Sequence, residues 1–210
     1  PNCGTSATQS IVFKDTGGEQ GQVVYDHGNE QFQFYVAGAI KARIESGGAI
    51  YLDGGGIKFP ATQVAHADAN TLDDYEEGYH DIAVTGSSSG SMNFNTSYNQ
   101  LSYTKIGRQV HVTGEVRVAS DNSINGNLRF SLPFALADLN QTSGYAVGNV
   151  HLSGHGDASI DDNKTFLYAT DGTQYFQIAH VADDDTFTFL THANVDTAFN
   201  ITVSITYFSA

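Results

Sequence analysis

Apolar and polar residues alternate over short runs along most of this chain, and the alternation predicts strands. The longest run places Val110, Val112, Val116 and Val118 on one side of an extended segment, with mostly polar residues between them. Successive side chains of a strand point to opposite faces, so this spacing gives one apolar and one polar face. No window of ten or more residues has the sustained 3.6-residue spacing of a helix. The pattern therefore predicts an all-β fold with helix as a minor component.

The first part of the chain, residues 9–58, consists of short alternating runs that glycine-rich turns interrupt. Phe32 and Phe34 mark one such run, and Asp53-Gly54-Gly55-Gly56 ends another. Strands of about five residues with frequent turns are typical of a β-meander. A segment this short buries little apolar surface by itself, so we expect further copies of the chain to cover its apolar face and its strand edges. A small monomeric β-domain is the alternative.

The second part, residues 79–210, contains a longer series of at least eight alternating runs. Its last run, residues 201–207, puts three aliphatic residues and Tyr207 on one face, with threonine and serine between them. So many strands in one domain favour a β-sandwich, and we predict a jelly-roll-like head. Gly114 interrupts the longest run, where we expect a β-bulge.

Composition narrows the possible functions. Apolar residues make up 40% of the chain, enough for a core, while the formal net charge is −14. Proteins that bind nucleic acid neutralise phosphates with Lys and Arg, so we predict no nucleic-acid partner. No apolar run approaches the ~20 residues that a membrane span requires, so we predict no membrane insertion. Cys3 is the only cysteine, which leaves no intrachain disulfide.

The segment between the two parts carries the most specific pattern in the chain. Residues 59–78 read FPATQVAHADANTLDDYEEG, a polar and acidic stretch whose composition predicts a solvated linker. The stretch closely resembles the linker FPATQ…ADxNTLDDYEEG of bacteriophage tail fibres and related virion proteins. Residues 103–110 and Leu132-Pro133-Phe134 are similar to the distal domains of such fibres. The chain also begins at Pro1 rather than Met, and we interpret it as a distal fragment of a longer tail fibre.

The resemblance implies three segments and a function. Residues 1–58 would be a trimeric β-stalk, residues 59–78 the linker and residues 79–210 a receptor-binding head. The whole would be a homotrimeric adhesin at the virion tip, outside the cell. It would attach the virus to a host cell-surface glycan or outer-membrane receptor, with the rest of the tail fibre as its other partner.

Three alternatives to the adhesin stay open. They are a structural virion decoration without its own receptor, a polysaccharide depolymerase and a bacterial lectin or adhesin module, the last of which would not explain the linker. The chain has no G-x-S-x-G motif and no β-helix repeat, so we predict no enzymatic activity and no catalytic residue.

Carbohydrate recognition would use exposed aromatic rings, on which sugar rings stack, together with side chains that hydrogen-bond to hydroxyl groups. Tyrosines close to Asn, Asp or Gln in predicted loops fit this description. The candidates for receptor or glycan binding are Tyr98, Asn99, Tyr145, Tyr168, Asp171 and Tyr175. Each of these tyrosines could instead belong to a sheet surface or to a protein interface.

Two acidic clusters are the candidates for a metal site. They are Asp161-Asp162-Asn163 and Asp183-Asp184-Asp185, which concentrate the oxygen ligands that calcium prefers. Neither matches an EF-hand loop, and both fit polar turns in which Asp and Asn bond to their own backbone. His151 and His155 flank a glycine-containing turn, where residues four apart do not share a face as they do in a helix. We therefore predict no cofactor, with Ca²⁺ as the one ion that the aspartates could bind.

Overall fold

The computed structural model describes residues 4–60, 68, 71–139, 144–157, 160–161, 164–181 and 186–210. Strands account for nearly all of the regular structure in these ranges, which confirms the all-β prediction. The chain divides into two compact units, Pro1–Lys58 and Phe59–Ala210. No helix in the described ranges is long and apolar enough to cross a bilayer.

Unit 1, Pro1–Lys58, is a single antiparallel meander in which neighbours in the chain are neighbours in the sheet. Its strands are β1 (Thr8–Asp15), β2 (Gly18–Asp26), β3 (Gln31–Val36), β4 (Ala39–Ile44) and β5 (Ile50–Leu52). The turn between β3 and β4 is Ala37-Gly38, with φ of 50° and 76°. Left-handed values at both central residues characterise the tight hairpin turn whose twist matches that of the strands.

One face of this meander is apolar and exposed. Residues paired across strands point to the same face, and one row runs unbroken across all five strands: Ile11, Val23, Phe34, Ala42 and Leu52. Other large side chains on this face are also exposed, namely Phe13, Phe32, Ile44 and Ile50. Val24, on the opposite face, is the only hydrophobic residue that is buried in the described part of this unit. Unit 1 therefore has almost no core of its own.

Unit 2, Phe59–Ala210, contains eleven strands in the described ranges and a short 3-10 helix at His192–Asn194. The strands are β6 (Tyr75–Asp81), β7 (Val84–Gly86), β8 (Ser89–Phe94), β9 (Gln100–Ile106), β10 (Gln109–Asn125), β11 (Leu128–Ser131), β12 (Tyr145–Ser153), β13 (Thr165–Thr170), β14 (Tyr175–Val181), β15 (Phe187–Phe189) and β16 (Asn200–Phe208). The pairings between these strands are antiparallel.

Eight of these strands close into a barrel, in the order β16-β12-β13-β14-β11-β7-β8-β10, with β10 pairing back to β16. This ring corrects the predicted β-sandwich. The physical cause is β10, which is 17 residues long. Its first half pairs with β16 and β9, and from Val118 onwards it pairs with β8, with a register shift between Val118 and Ser120. A long strand that changes partners at a bulge joins what would otherwise be two separate sheets.

The barrel interior is filled by the apolar positions of the alternating runs. The four valines of the longest run are buried, as the alternation predicts. Phe130 and Phe176 stack with their ring centroids 5.1 Å apart. The predicted bulge at Gly114 is wrong, because its pairing with Val203 continues the β10–β16 register without a shift.

Gly148 marks a second change of partner, where β12 leaves β13 and begins to pair with β16. A Cβ atom at this position would lie 2.5 Å from the backbone carbonyl oxygen of Ser204. Since backbone cannot move aside as a flexible side chain does, only glycine fits here.

The end of the predicted linker belongs to the barrel domain. β6 begins at Tyr75 and pairs along its whole length with β9. Just before it, the carboxylate of Asp74 forms an ion pair with Lys105, and both side chains are buried. Residues 75–78 were predicted as part of the linker because the acidic residues of this edge strand give it no regular alternation of apolar and polar positions. Residues 61–67, 69 and 70 lie outside the described ranges.

Candidate functional site

Three of the predicted receptor-binding residues meet on the outer surface of the barrel. β12, β13, β14 and β11 are consecutive in the ring, and buried residues such as Leu167 and Phe176 fill their inward positions. Alternation therefore turns the intervening side chains outward. We call this surface the tyrosine face and define it by Arg129, Tyr145, Val147, Tyr168, Thr170, Tyr175 and Gln177.

Cross-strand pairing brings the members of the tyrosine face together. Val147 pairs with Tyr168, which pairs in turn with Gln177, and Tyr145 pairs with Thr170. The ring centroids of Tyr145 and Tyr168 are 5.1 Å apart, with their planes tilted by 32°. Side chains on paired strands are held more rigidly than side chains on loops, so this surface is organised before any ligand arrives.

The two neighbouring tyrosines have different roles in this surface. Tyr145 is 51% exposed and presents its ring to solvent, whereas Tyr168 is half-buried beside it. Burial raises the pKa of Tyr168, and a hydrogen bond with Tyr145 raises it further. The Tyr168 hydroxyl is protonated at neutral pH, as an ordinary tyrosine is, and it already hydrogen-bonds with Tyr145.

A guanidinium group lies at the β11 side of the tyrosine face. The Arg129 guanidinium carbon is 4.8 Å from the ring centroid of Tyr175, a cation–π distance. Its Nε is buried, and within the described residues it has no hydrogen-bond partner. No carboxylate of the described residues forms an ion pair with this side chain. The face thus combines aromatic rings with one cation that is available to a ligand.

More aromatic surface continues from Tyr168 towards β15. The ring centroids of Phe187 and Phe189 lie 5.4 Å and 5.6 Å from that of Tyr168, and Phe166 also contacts Phe187. Phe187 is largely exposed. An extended ligand, or another protein, would find apolar contacts on this side.

A shallow apolar cleft lies on the other side of Tyr145. It has a volume of about 280 Å³, and Leu139, Val147, Tyr207 and Phe208 are among the residues that line it. Tyr145 forms part of the wall, so the cleft and the tyrosine face share this side chain. A group seated in the cleft would therefore contact the same ring that the face presents.

Tyr98 and Asn99 lie elsewhere on the barrel. The Arg117 guanidinium carbon is 3.7 Å from the ring centroid of Tyr98, and the Arg117 Nε donates to Glu115 at 2.8 Å. Arg117 lies in the middle of β10 and pairs with Asn200, at the opposite end of β16 from Phe208 and the cleft beside Tyr145. These two candidates therefore do not share a site with Tyr145.

Asp171 lies at the end of the barrel where Tyr145 is found. Its backbone amide donates to the carbonyl of Gly144 at 2.6 Å, and a Cβ on Gly144 would lie 2.5 Å from an Asp171 carboxylate oxygen. The carboxylate is therefore adjacent to the residue that precedes Tyr145. It is the one acidic candidate that the structure brings to the rim of the tyrosine face.

Sequence reasoning missed Arg129. Arg129 stands between Leu128 and Phe130, both of which are fully buried, so the alternation alone indicated an outward arginine. Its proximity to Tyr175 could not be inferred, because β11 and β14 are distant in the chain and only their pairing joins them.

The predicted metal clusters lie mostly outside the described residues. Asp162, Asn163, Asp183, Asp184 and Asp185 belong to the ranges that the structure does not describe, and only Asp161 can be placed. Over the described ranges, no group of three or more His, Cys, Asp or Glu side chains is arranged to hold a metal ion. That the chain has no cofactor, with Ca²⁺ as the one ion that these aspartates could bind, stays a prediction.

Comparison with protein-family models and with curated proteins finds no match to this chain.

Proposed function

We propose that this chain is the distal part of a bacteriophage tail fibre, an adhesin that binds a glycan or another outer-membrane component of the host surface through its tyrosine face. The observation that carries the proposal is a cluster of tyrosine rings on adjacent strands, Tyr145 exposed and Tyr168 and Tyr175 half-buried, beside hydroxyl and guanidinium groups. The resemblance of residues 59–78 to fibre linkers supplies the class of protein. Its other partners would be identical chains and the rest of the fibre, and its place the tip of the virion.

The chemistry of the face suits a sugar. The faces of sugar rings carry C–H groups that stack on aromatic rings, and Tyr145 presents such a ring to solvent. Around it, Thr170 and the Tyr168 hydroxyl, which are both partly exposed, can exchange hydrogen bonds with sugar hydroxyls. The surface is open rather than deep, so we expect weak binding to each face.

Unit 1 supports the proposal that the chain works as a homotrimer. Its apolar face carries exposed Ile11, Phe34 and Ile50, and Val24 is the only buried hydrophobic residue in its described part. Apolar surface of this extent on one side of a sheet marks an interface. Identical chains are the expected partners, because most soluble oligomers are homo-oligomers. Three heads on one fibre would turn weak binding to one glycan into strong attachment.

A structural role without a receptor is the second candidate. The exposed Phe187 and the apolar cleft beside Tyr145 favour it, because aromatic surface of this kind also suits contact with another virion protein. The two candidates differ in whether isolated protein binds cells.

Binding of fluorescently labelled protein to bacterial cells and to an array of purified capsular and lipopolysaccharide glycans tests the proposal. We expect saturable binding to a subset of these surfaces, no release of saccharide products, and loss of binding in Tyr145→Ala. Tyr79→Ala is the matched control, since Tyr79 is 76% exposed on β6, away from the face. Absence of binding to every surface would favour the structural role, and product release would indicate a depolymerase.

A further inference from the structure

Arg129 is an exception among the arginines of an acidic protein. The chain has 23 acidic and 9 basic residues, so carboxylates to pair with are abundant. Arg43 pairs with Asp53 at 3.2 Å, and Arg117 pairs with Glu115 at 2.8 Å. The Nε of Arg108 donates to the carbonyl of Ser209 at 3.3 Å. Arg129 alone has neither an ion pair nor a hydrogen bond from its side chain to the described residues.

The missing ion pair and hydrogen bond matter because of where Arg129 lies. Its guanidinium lies over the ring of Tyr175, and its Nε is buried without an acceptor. A ligand cannot reach the buried Nε, so a bound carboxylate would accept hydrogen bonds from the terminal NH2 groups of the guanidinium. The planar guanidinium offers parallel N–H donors that match the two oxygens of a carboxylate.

Arg129 and the tyrosines of the face can act on one ligand. Tyr175 and Gln177 are on β14, which lies between β11, with Arg129, and β13, with Tyr168. Two strand spacings separate β11 from β13, a distance of about 10 Å. An oligosaccharide can span this distance, with one sugar ring on the tyrosines and a charged group of another sugar on the arginine.

We propose that Arg129 and Tyr175 form a carboxylate subsite and that the ligand is an acidic saccharide, one containing uronic or ulosonic acid residues. This inference rests on the proposed glycan binding and specifies its substrate class. A carboxylate is favoured over a phosphate monoester, which carries more than one negative charge at neutral pH, because one guanidinium balances one charge and no second cation of the described residues lies over the ring of Tyr175. With a net charge of −14, the protein as a whole repels polyanions. Binding of an acidic saccharide therefore depends on the charge of Arg129 itself.

An array of acidic saccharides tests the subsite directly. It would carry uronic- and ulosonic-acid oligosaccharides, their methyl esters, which keep the shape and lose the charge, and phosphorylated saccharides. We expect the protein to bind at least one acid at least tenfold more tightly than its ester, and Arg129→Gln to remove this preference. Arg129→Lys keeps the positive charge but loses the paired N–H donors, so we expect it to retain only part of the preference for acids.

Arg117→Gln is the matched control. Arg117 also stacks on a tyrosine, Tyr98, but Glu115 already occupies its guanidinium. This variant should bind acids and esters as the unaltered protein does, and equal thermal unfolding of all three variants would show that none is misfolded.

Three results would overturn the proposal. These are equal binding of every acid and its ester, a preference for phosphorylated saccharides, and a preference for acids that survives Arg129→Gln. Binding of neutral saccharides with no preference for acids would refute the carboxylate subsite while leaving the adhesin intact. Failure to bind any saccharide or any cell would refute both.

Discussion

At the scale of single residues, the ion pair of Asp74 and Lys105 joins the end of the predicted linker, residues 59–78, to the barrel domain. Both side chains are buried, and the Lys105 ammonium also lies 5.5 Å from the ring centroid of Phe134. The carbonyl of Asp74 accepts the amide of Gly107 at 2.9 Å. The acidic composition of residues 59–78 predicts solvent-exposed carboxylates, but the carboxylate of Asp74 is buried and paired with a cation.

Replacement of Asp74 by Ala is expected to lower the free energy of unfolding by about 3–5 kcal/mol, because it leaves the Lys105 ammonium buried without its carboxylate. Urea denaturation measures the change. The double variant Asp74→Leu with Lys105→Met removes both charges and should recover most of the loss. A double variant no more stable than Asp74→Ala would show that the ion pair is not the cause.

His80 gives the domain a dependence on pH. Its Nε2 lies 2.8 Å from Ser131 Oγ, and burial lowers the pKa of His80 below its ordinary value, although the Ser131 backbone and Asp81 oppose this shift. The unfolded chain therefore takes up a proton at higher pH than the folded protein does. The stability that neutral His80 contributes to the folded protein is complete above the ordinary pKa of about 6.5. It is lost as the pH falls below that value.

Urea denaturation between about pH 5 and pH 8, centred on the ordinary pKa of histidine, tests this effect. We expect the free energy of unfolding to fall on the acid side, and His80→Gln to reduce that slope. His111→Gln is the control, because His111 is exposed on the outer surface of β10. An unchanged slope in His80→Gln would assign the pH dependence to other groups.

At the scale of elements, the meander of unit 1 presents a surface that its own strands do not cover. Phe34 lies in the middle of the row that runs from Ile11 to Leu52. If this surface joins identical chains, a charge in its centre would be buried without a partner in the assembly.

Phe34→Asp is therefore expected to convert trimers into monomers at concentrations where the unaltered chain is assembled, as measured by light scattering after size exclusion. Ser10→Asp is the control, since Ser10 pairs with Val24 on the opposite face of the same sheet. Equal masses for both variants would exclude this face as the interface.

Alternation predicts elements well where one face of a strand is buried, and fails where it is not. β10 and β16 carry clean alternation because their inward residues fill the barrel. β6 was hidden within an acidic stretch, since an edge strand with Glu76 and Glu77 has no regular apolar face. The bulge expected at Gly114 is also wrong, because glycine permits a bulge without requiring one.

At the scale of the whole molecule, unit 2 has what unit 1 lacks, a continuous core. Its buried residues come from both the first and the last barrel strands along the chain, with Val84 on β7 and Ile201 on β16 fully buried. Burial on this scale is sufficient for a domain to fold without a partner.

A chain of residues 59–210 is therefore expected to fold alone and to be monomeric or weakly associated, whereas the full chain is expected to be trimeric. Circular dichroism follows the fold and light scattering follows the mass. A stable trimer of residues 59–210 would place assembly in the barrel domain, and the apolar face of unit 1 would need another partner.

The sequence by itself determined that this protein is built of strands and which side chains of most strands point inward, because the period of two is a local property of the chain. It also indicated six candidate residues for binding, each from its immediate neighbours. Only the tertiary structure decided that the sheet closes into a barrel, through the partner change of β10. Only the pairing of β11 with β14 brought Arg129 to Tyr175, because contacts between strands far apart in sequence depend on how the whole sheet folds.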